Sequence, residues 1–414
     1  MKIEAPRGTH DILPADQPLW QRVVGEAERL CALYGYRRIQ TPVFEDTALF
    51  ERTSGAGSDV VQKEMDTFED RRGRSVTLRP EGTAPICRAY VQHGLHREPQ
   101  PQKLYTLATM YRYSAPQKGR YREHWQISVE AIGSDDPALD AEVIQLYDTL
   151  LRRLGVTQYR LALNSIGDPA CRPAYLERLV RWLDEHEELL DEDVRARRHT
   201  SPLRVFDNLE ARPAAVRRAL SEAPTIGESL CDACREHFAA VLGYLDSYGV
   251  AYELVPTLVR GLDYYTRTTW EFVGPAQGAQ STISGGGRYD GLVAEIGGRP
   301  TPGVGFGAGI ERLVLALEEA GITAEPEPPE LLVLLDAGAD RRAALIELAK
   351  LRAAGVACDT EYAGRSLKGQ FTQLSRSGAR GYVLVKADGA VLKRTRESAE
   401  EAIGVQEIAA RYLG

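Results

Sequence analysis

Three stretches of this chain predict its class: an α+β domain interrupted by a helical insertion, followed by a small α/β domain. The first is AEPEPPE, residues 324–330, whose three prolines and three glutamates make a stiff, solvated linker. The second is the regular alternation beyond it. LLVLL reads as a buried strand, 340–354 as a helix, VACDTEY as a strand, 366–378 as a helix and YVLVK as a strand. That pattern implies a largely parallel sheet. The third is the contrast before the linker, where long helices and aromatic, β-branched strands are set among loops. Over roughly 169–250 this gives way to amphipathic helices, YLERLVRWLDEH and HFAAVLGYLDSYG among them. The expected organisation is 1–168 with 251–324, an insertion at 169–250, a linker at 325–330 and a second domain at 331–414.

Composition narrows the function. With 414 residues, 43% of them apolar and 27% charged, the chain can bury two or three ordinary globular cores. No run of about twenty apolar residues spans a membrane, and the N-terminus MKIEAPRGTHDILP lacks the apolar core of a secretory signal. Six cysteines scattered over this length are no disulfide framework, so a cytoplasmic protein is expected. A net charge of −8 argues against a generic nucleic-acid coat. Residues 331–414 nevertheless carry 13 Lys and Arg against 10 Asp and Glu, so a nucleic-acid contact would be local.

The chemistry-bearing stretches come in chain order. LRPEGTAPICRAY (78–90) enters a helix near Thr83 with Pro85 in its first turn, and Glu81 is either an ordinary first-turn acid or a ligand for an ammonium group. YRYSAPQKGRYREHWQISVEAIG (111–133) predicts a hairpin with a basic tip, Arg112, Lys118, Arg120 and Arg122 preceding any acid. Its second strand puts Gln126, Ser128 and Glu130 on one face, which suits a solvated surface or a binding floor. In LVRGLDYYTRTTWEF (258–272), Arg260, Asp263, Tyr264 and Tyr265 crowd at the mouth of a strand. TISGGGRYDGL (282–292) is expected to be a loop, its glycines serving either a flexible turn or close approach to a ligand.

GVGFGAGIERLVLAL (303–317) matches the dinucleotide fingerprint at Gly303, Gly305 and Ala308, but GGRPTP before it cannot be the strand the fingerprint requires. A Gly-rich strand running into a helix with Ile310, Leu313, Val314 and Leu317 as core fits better. Arg312 lies off that stripe, either solvated or a phosphate clamp. Cys231 and Cys234 form a lone CxxC without a second pair nearby in sequence, so no protein metal site is expected. There is no P-loop, no GxSxG elbow and no histidine pair at metal spacing.

Taken together these stretches resemble the histidyl-tRNA synthetases, members of the class II aminoacyl-tRNA synthetases, over nearly the whole chain. YRRIQTPVFED, with Pro42, resembles motif 1, the dimer-interface element; YRYSAPQKGRYREHWQ resembles motif 2 and GVGFGAGIERLVLAL motif 3. LVRGLDYY and SGGGRYDGL resemble the two histidine-specific signatures. The resemblance implies a catalytic domain on an antiparallel sheet, an anticodon-binding α/β domain after the linker, and a homodimer. It implies the ligation of histidine to its tRNA through an adenylate made from ATP, with Mg²⁺ bridging the nucleotide's phosphates.

By resemblance, Arg260 and Arg112 are catalytic, Arg260 beside the reacting carboxylate and phosphate, Arg112 on the ATP α-phosphate. Arg312 would meet the γ-phosphate, with Gly307 and Gly309 also at the nucleotide. Tyr265 and Glu130 would hold the imidazole nitrogens and Tyr264 would close the pocket, with Gly82 and Tyr289 nearby. Glu81, Thr83 and Gln126 would hold the α-ammonium, and Gln117, Lys118, Arg120 and Arg122 the acceptor end of the tRNA. Motif 2 departs from the family in Ser114 and Ala115, where an acid and a further arginine are usual. That puts the adenine contact and one tRNA contact in question. Two other readings compete: a synthetase-like regulatory subunit of ATP phosphoribosyltransferase, which lacks the anticodon domain and degrades the signatures, and a dinucleotide oxidoreductase, which rests only on the misplaced glycines.

Overall fold

The computed structural model describes residues 2–54, 61, 64–115, 118–207, 209, 212–275 and 282–414. They form two compact units, Met1–Ala324 and Glu325–Gly414.

The first unit opens with α1 (Gln17–Leu33), whose Leu19, Val23, Ala27 and Leu30 recur at helical spacing and are buried. Then come β1 (Arg37–Arg38), β2 (Phe44–Asp46), α2 (Thr47–Ser54), β3 (Thr67–Glu69) and β4 (Ser75–Leu78), the last three strands forming a small antiparallel sheet in the order β2-β4-β3. Helix α3 (Thr83–Gln92) begins where expected because the Glu81 carboxylate accepts from the amides of Thr83 and Ala84 at 2.6 and 2.8 Å. The predicted hairpin is β5 (Gln102–Tyr111) and β6 (Glu123–Ile132). After it run α4 (Pro137–Leu154), β7 (Arg160–Ser165), α5 (Arg172–Glu185), α6 (Glu192–Arg197), α7 (Ala214–Ser221) and α8 (Asp232–Tyr248). The unit closes with β8 (Glu253–Leu254), β9 (Thr266–Val273), β10 (Thr282–Arg288), α9 (Leu292–Glu295), β11 (Gly303–Gly309) and α10 (Ile310–Glu319).

Eight strands form one sheet in the order β1-β5-β6-β11-β10-β9-β7-β8. Its inner pairs are all antiparallel, while the edge strands β1 and β8 run parallel to β5 and β7. This is the α+β sheet the sequence predicts. Alternation assigns its faces. Ile127, Val129 and Ala131 of β6, Val304, Phe306 and Ala308 of β11, and Trp270 and Phe272 of β9 enter one core with α1, α4 and α10. The insertion has a core of its own, around Tyr175, Leu179, Leu183, Val205 and Phe206, yet Val241 and Leu245 of α8 belong to the sheet's core.

One expectation is overturned. Residues 282–288 are not a loop but the central strand β10, paired on both sides. Glycine weakens a strand and so argues against one from sequence alone. Here it is required by what packs on the two faces of the strand: a Cβ would strike the Arg260 guanidinium at Gly285 and the Tyr265 ring at Gly287 on one face, and Trp270 and Phe306 at Gly286 on the other.

The second unit alternates as predicted through β12 (Leu331–Leu335), α11 (Arg341–Ala353), β13 (Cys358–Thr360), α12 (Leu367–Ser377) and β14 (Gly381–Lys386). Two further strands, β15 (Gly389–Lys393) and β16 (Glu401–Ile403), precede α13 (Ile408–Leu413). The sheet order is β13-β12-β14-β15-β16, parallel across the first three strands and antiparallel beyond. The sheet is therefore mixed rather than largely parallel, because a tight hairpin at Ala387 and Asp388 returns the chain antiparallel to β14. Leu331, Val333, Val383 and Val385 face one core, Leu332 and Leu334 another. Among the described residues no helix is long and apolar enough to cross a membrane.

Candidate active site

The polar face of β6 is a floor, not a solvated surface: Gln126, Ser128 and Glu130 are 9%, 0% and 0% exposed. Strand β11 makes this possible. A Cβ on Gly305 would overlap the Glu130 carboxylate, and one on Gly307 would lie 2.8 Å from Gln126 Nε2. Because those positions are bare, the polar side chains of β6 can lie across the neighbouring strand.

Glu130 anchors a pocket at one end of the floor. Its carboxylate accepts from the Thr83 hydroxyl at 2.7 Å and the Tyr289 hydroxyl at 2.5 Å. Burial pushes the Glu130 carboxyl up to about 8, against the opposing pull of those two hydrogen bonds. Three buried tyrosines wall the pocket, Tyr264 lying 4.7 Å from Tyr265 and 6.0 Å from Tyr289 between ring centres. Glu81, also buried, faces the same space, and burial raises its carboxyl above the usual range. Gly82 is explained by packing, since a Cβ there would meet Ser128. Gln126 donates to Ser128 Oγ at 2.9 Å.

Cations gather at the other end. Arg260 lies over Gly285 and pairs with Glu271 of β9, its side chain 19% exposed. Burial works against its charge, but Glu271 and the two tyrosine hydroxyls outweigh that and keep the guanidinium protonated. Arg112 donates to the Pro80 carbonyl at 2.7 Å. Arg312 is not solvated: it reaches the carbonyls of Gly119 and Thr282. Near Arg112 and Arg312 is His124, whose imidazole is driven down to about 3 by burial and then by Arg112, Arg312 and Arg120. Three arginines bearing on one imidazole make this a locally cationic place, of the kind that favours an anion. Gly307 is shaped by Gln126, whereas Gly309 has room for a Cβ, with Arg312 Cγ its nearest neighbour at 3.8 Å.

The insertion holds the 258–265 stretch from behind. Arg172 donates to the Tyr265 carbonyl at 2.6 Å, and Arg204 reaches the Gly261 carbonyl and stands 3.8 Å from Asp263. Asp263 thus serves Arg204, and Arg260 is left to Glu271. On the hairpin tip Lys118 is exposed, Arg120 pairs with Glu64 at 2.9 Å, and the Arg122 guanidinium lies 3.7 Å above the Tyr113 ring. Gln117 lies outside the described residues.

The chain as a whole has relatives. The family profile described as histidyl-tRNA synthetase matches residues 8–313. The chain belongs to the histidyl-tRNA synthetase family. It is 46% identical over 389 residues to the histidine–tRNA ligase of Halothermothrix orenii, covering 94% of this chain and 92% of that one. The crystal structure of the apo S. aureus histidyl-tRNA synthetase superposes with a TM-score of 0.81 at 35% identity, covering all of both chains. A protein of Bacillus halodurans C, described as an ATP phosphoribosyltransferase regulatory subunit/histidyl-tRNA synthetase, gives 0.65 at 25% identity over 93% of this chain and 98% of that one.

Within this family setting, two polar residues the sequence did not single out sit in the site. Glu271 and His124 each occupy an alternating strand position with nothing local to mark it; only the neighbouring strands bring arginines to them. Cys231 and Cys234, a pair alone in sequence, are not alone in space, because Asp168 and Cys171 stand beside them.

Proposed function

We propose that this chain ligates histidine to tRNA(His) in two steps, forming histidyl-adenylate from ATP with release of pyrophosphate, then transferring histidine to the 3′ end of the tRNA. The observation that carries the reading is the continuity of the floor: the Glu130 pocket fits an imidazole, and Arg260 stands between it and the arginine-lined spot that fits ATP phosphates. Tyr265 and Glu130 bind the ring nitrogens. Burial raises the Glu130 carboxyl, and a ring that carries a proton would favour its ionised form. Tyr264 and Tyr289 pack the ring, and Glu81, Thr83 and Gln126 take the α-ammonium, over a floor that Gly82 helps to close.

Attack of the histidine carboxylate on the α-phosphate brings two anions together. Arg260 and Arg112 stabilise the charge that develops, Arg312 holds the γ-phosphate, and Gly307 and Gly309 let the nucleotide approach the backbone. No protein nucleophile is needed. Magnesium would travel on the nucleotide's phosphates, with few protein ligands. Lys118, Arg120, Arg122 and Gln117 take the acceptor end of the tRNA. In place of the family's usual acid, Ser114 is buried with its hydroxyl unpartnered among the described residues, and it meets the adenine. Val43, Phe44 and Phe68 expose an apolar edge next to Pro42, which suits a homodimer contact. The location is cytoplasmic.

The test is exchange of pyrophosphate into ATP with each amino acid in turn. Exchange should depend on histidine alone. Stimulation by another amino acid and not by histidine would sink the assignment, and no exchange at all would favour a regulatory subunit. The second unit, with its own cores and its local positive charge, is read as the anticodon-binding domain. Deleting 331–414 should then leave exchange within a fewfold of intact protein while lowering tRNA charging by at least about tenfold, a loss of more than 1.4 kcal/mol of binding. Equal loss of both in a folded truncation would contradict that division.

A further inference from the structure

We propose that Asp168, Cys171, Cys231 and Cys234 bind a structural zinc ion that fastens the insertion to the end of β7. The four ligand atoms all lie within 4.8 Å of one another. Cys171 Sγ is 3.9 Å from Cys234 Sγ and 3.5 Å from Asp168 Oδ1, and Cys231 Sγ is 3.9 Å from the same oxygen. A tetrahedral zinc with Zn–S near ~2.3 Å and Zn–O near ~2.0 Å sets neighbouring sulfurs ~3.8 Å apart and sulfur and oxygen ~3.5 Å apart. The Cys171–Cys234 and Cys171–Asp168 edges agree with that tetrahedron, the Cys231–Asp168 edge of 3.9 Å is longer than its S–O edge, and a small inward shift of the set, all within 4.8 Å, would close it on a metal. All three thiols are free.

The backbone is already arranged for sulfur anions. Cys231 is the N-cap of α8, a 17-residue helix, where the helix dipole favours a thiolate. The Asp168 amide points at Cys171 Sγ, 3.4 Å away. Ligands thus come as two short turns of equal spacing, Asp168-x-x-Cys171 and Cys231-x-x-Cys234, sixty residues apart in the chain and brought face to face by the insertion. Three thiolates and a carboxylate leave a zinc site net negative, and Arg267, 3.7 Å from Asp168 Oδ2, offsets part of that charge. Cys171 and Cys234 are buried and Cys231 half-buried, which leaves no open coordination position for a reacting water.

The site's place in the fold says what it would do. Arg172 follows Cys171 directly and donates to the carbonyls of Ile166, Gly167 and Tyr265. A metal at Cys171 fixes the start of α5, hence Arg172, hence the backbone of Tyr265 in the candidate imidazole pocket. The role is positional and structural.

The full-length chain, purified without chelator, should carry about one zinc per chain by plasma mass spectrometry, retained on dialysis and released by an organomercurial. Cobalt in its place should give the intense thiolate charge-transfer and tetrahedral d–d absorption. Chelation should lower the melting temperature of the wild type, and zinc should restore it. Cys231→Ser, the half-buried ligand and so the variant that should still fold, should bind zinc at least about tenfold more weakly and lose the chelator response. The proposal is overturned by a chain grown with zinc that carries none and whose melting temperature ignores added zinc. It is equally overturned by a Cys171–Cys234 disulfide in the purified protein, or by full zinc content in Cys231→Ser. None of these readouts depends on histidine or tRNA.

Discussion

Arg260→Ala should lower the single-turnover rate of histidyl-adenylate formation by about 10²–10³, the usual loss when one preorganised charge-stabilising donor is removed, with a smaller change in histidine binding. Arg260 also neutralises Glu271 inside the fold, so the alanine variant leaves a largely buried carboxylate unpaired and should melt at a lower temperature as well. The two effects are separable. Combining Arg260→Ala with Glu271→Gln removes the orphaned charge and should restore much of the stability without restoring the rate. Arg260→Lys keeps a cation but not the planar fork that spans a carboxylate and a phosphate, so it should recover the rate only in part. A normal adenylation rate per folded molecule in Arg260→Ala would make Arg260 a purely structural partner of Glu271.

Glu130→Gln should lower histidine-dependent exchange by about a hundredfold while leaving the fold intact. A hydrogen bond to a charged partner is worth roughly 1.5–3 kcal/mol, and a site built for a polar ring discriminates strongly once its own groups no longer match. Glutamine has the shape of a protonated glutamate; its single carbonyl oxygen accepts from Thr83 or Tyr289, and its NH2 donates to the oxygen of the other hydroxyl. The sign of the pH effect follows from the carboxyl standing at about 8 in the fold against an ordinary 4.5. Between those values the folded chain keeps a proton that the unfolded chain releases. This contribution to stability is whole below pH 4.5 and shrinks as pH rises through about 8. The melting temperature of Glu130→Gln should therefore gain on the wild type from pH 5 to 8. Parallel melting curves across that range would place an ionised Glu130 in the empty pocket.

Much of this site could be read from the chain because its parts are local. The Arg260 to Tyr265 cluster, the basic hairpin tip and the Gly-rich run into α10 each lie within one short segment. So do the linker and the strand–helix alternation after it, which is why the second unit was legible up to β14. What sequence could not supply was pairing between segments. The glycines of β10 look like a loop until Arg260, Trp270 and Tyr265 are seen against them. Gln126, Ser128 and Glu130 look like a wet face until bare β11 lies alongside. Cys171 and Asp168 are sixty residues from Cys231 and Cys234, too far along the chain for spacing to announce them. Beyond β14 the strand–helix alternation stops at the Ala387-Asp388 hairpin, so its rhythm says nothing of β15 and β16.

The bare floor formed by β10 and β11 also fixes when the ordering entropy of the site is spent. Glycine gives up more backbone freedom on folding than any other residue, roughly 0.5–1 kcal/mol beyond alanine in a strand. Gly285, Gly287, Gly305 and Gly307 surrender it once, as the sheet forms. Afterwards they have no side-chain rotamers left to freeze, whereas each mobile side chain in a conventional floor costs roughly 0.5–1.5 kcal/mol to immobilise at every binding event. The loss is charged to the stability of the fold and not to each catalytic cycle, so substrates meet a surface that is equally rigid empty or full.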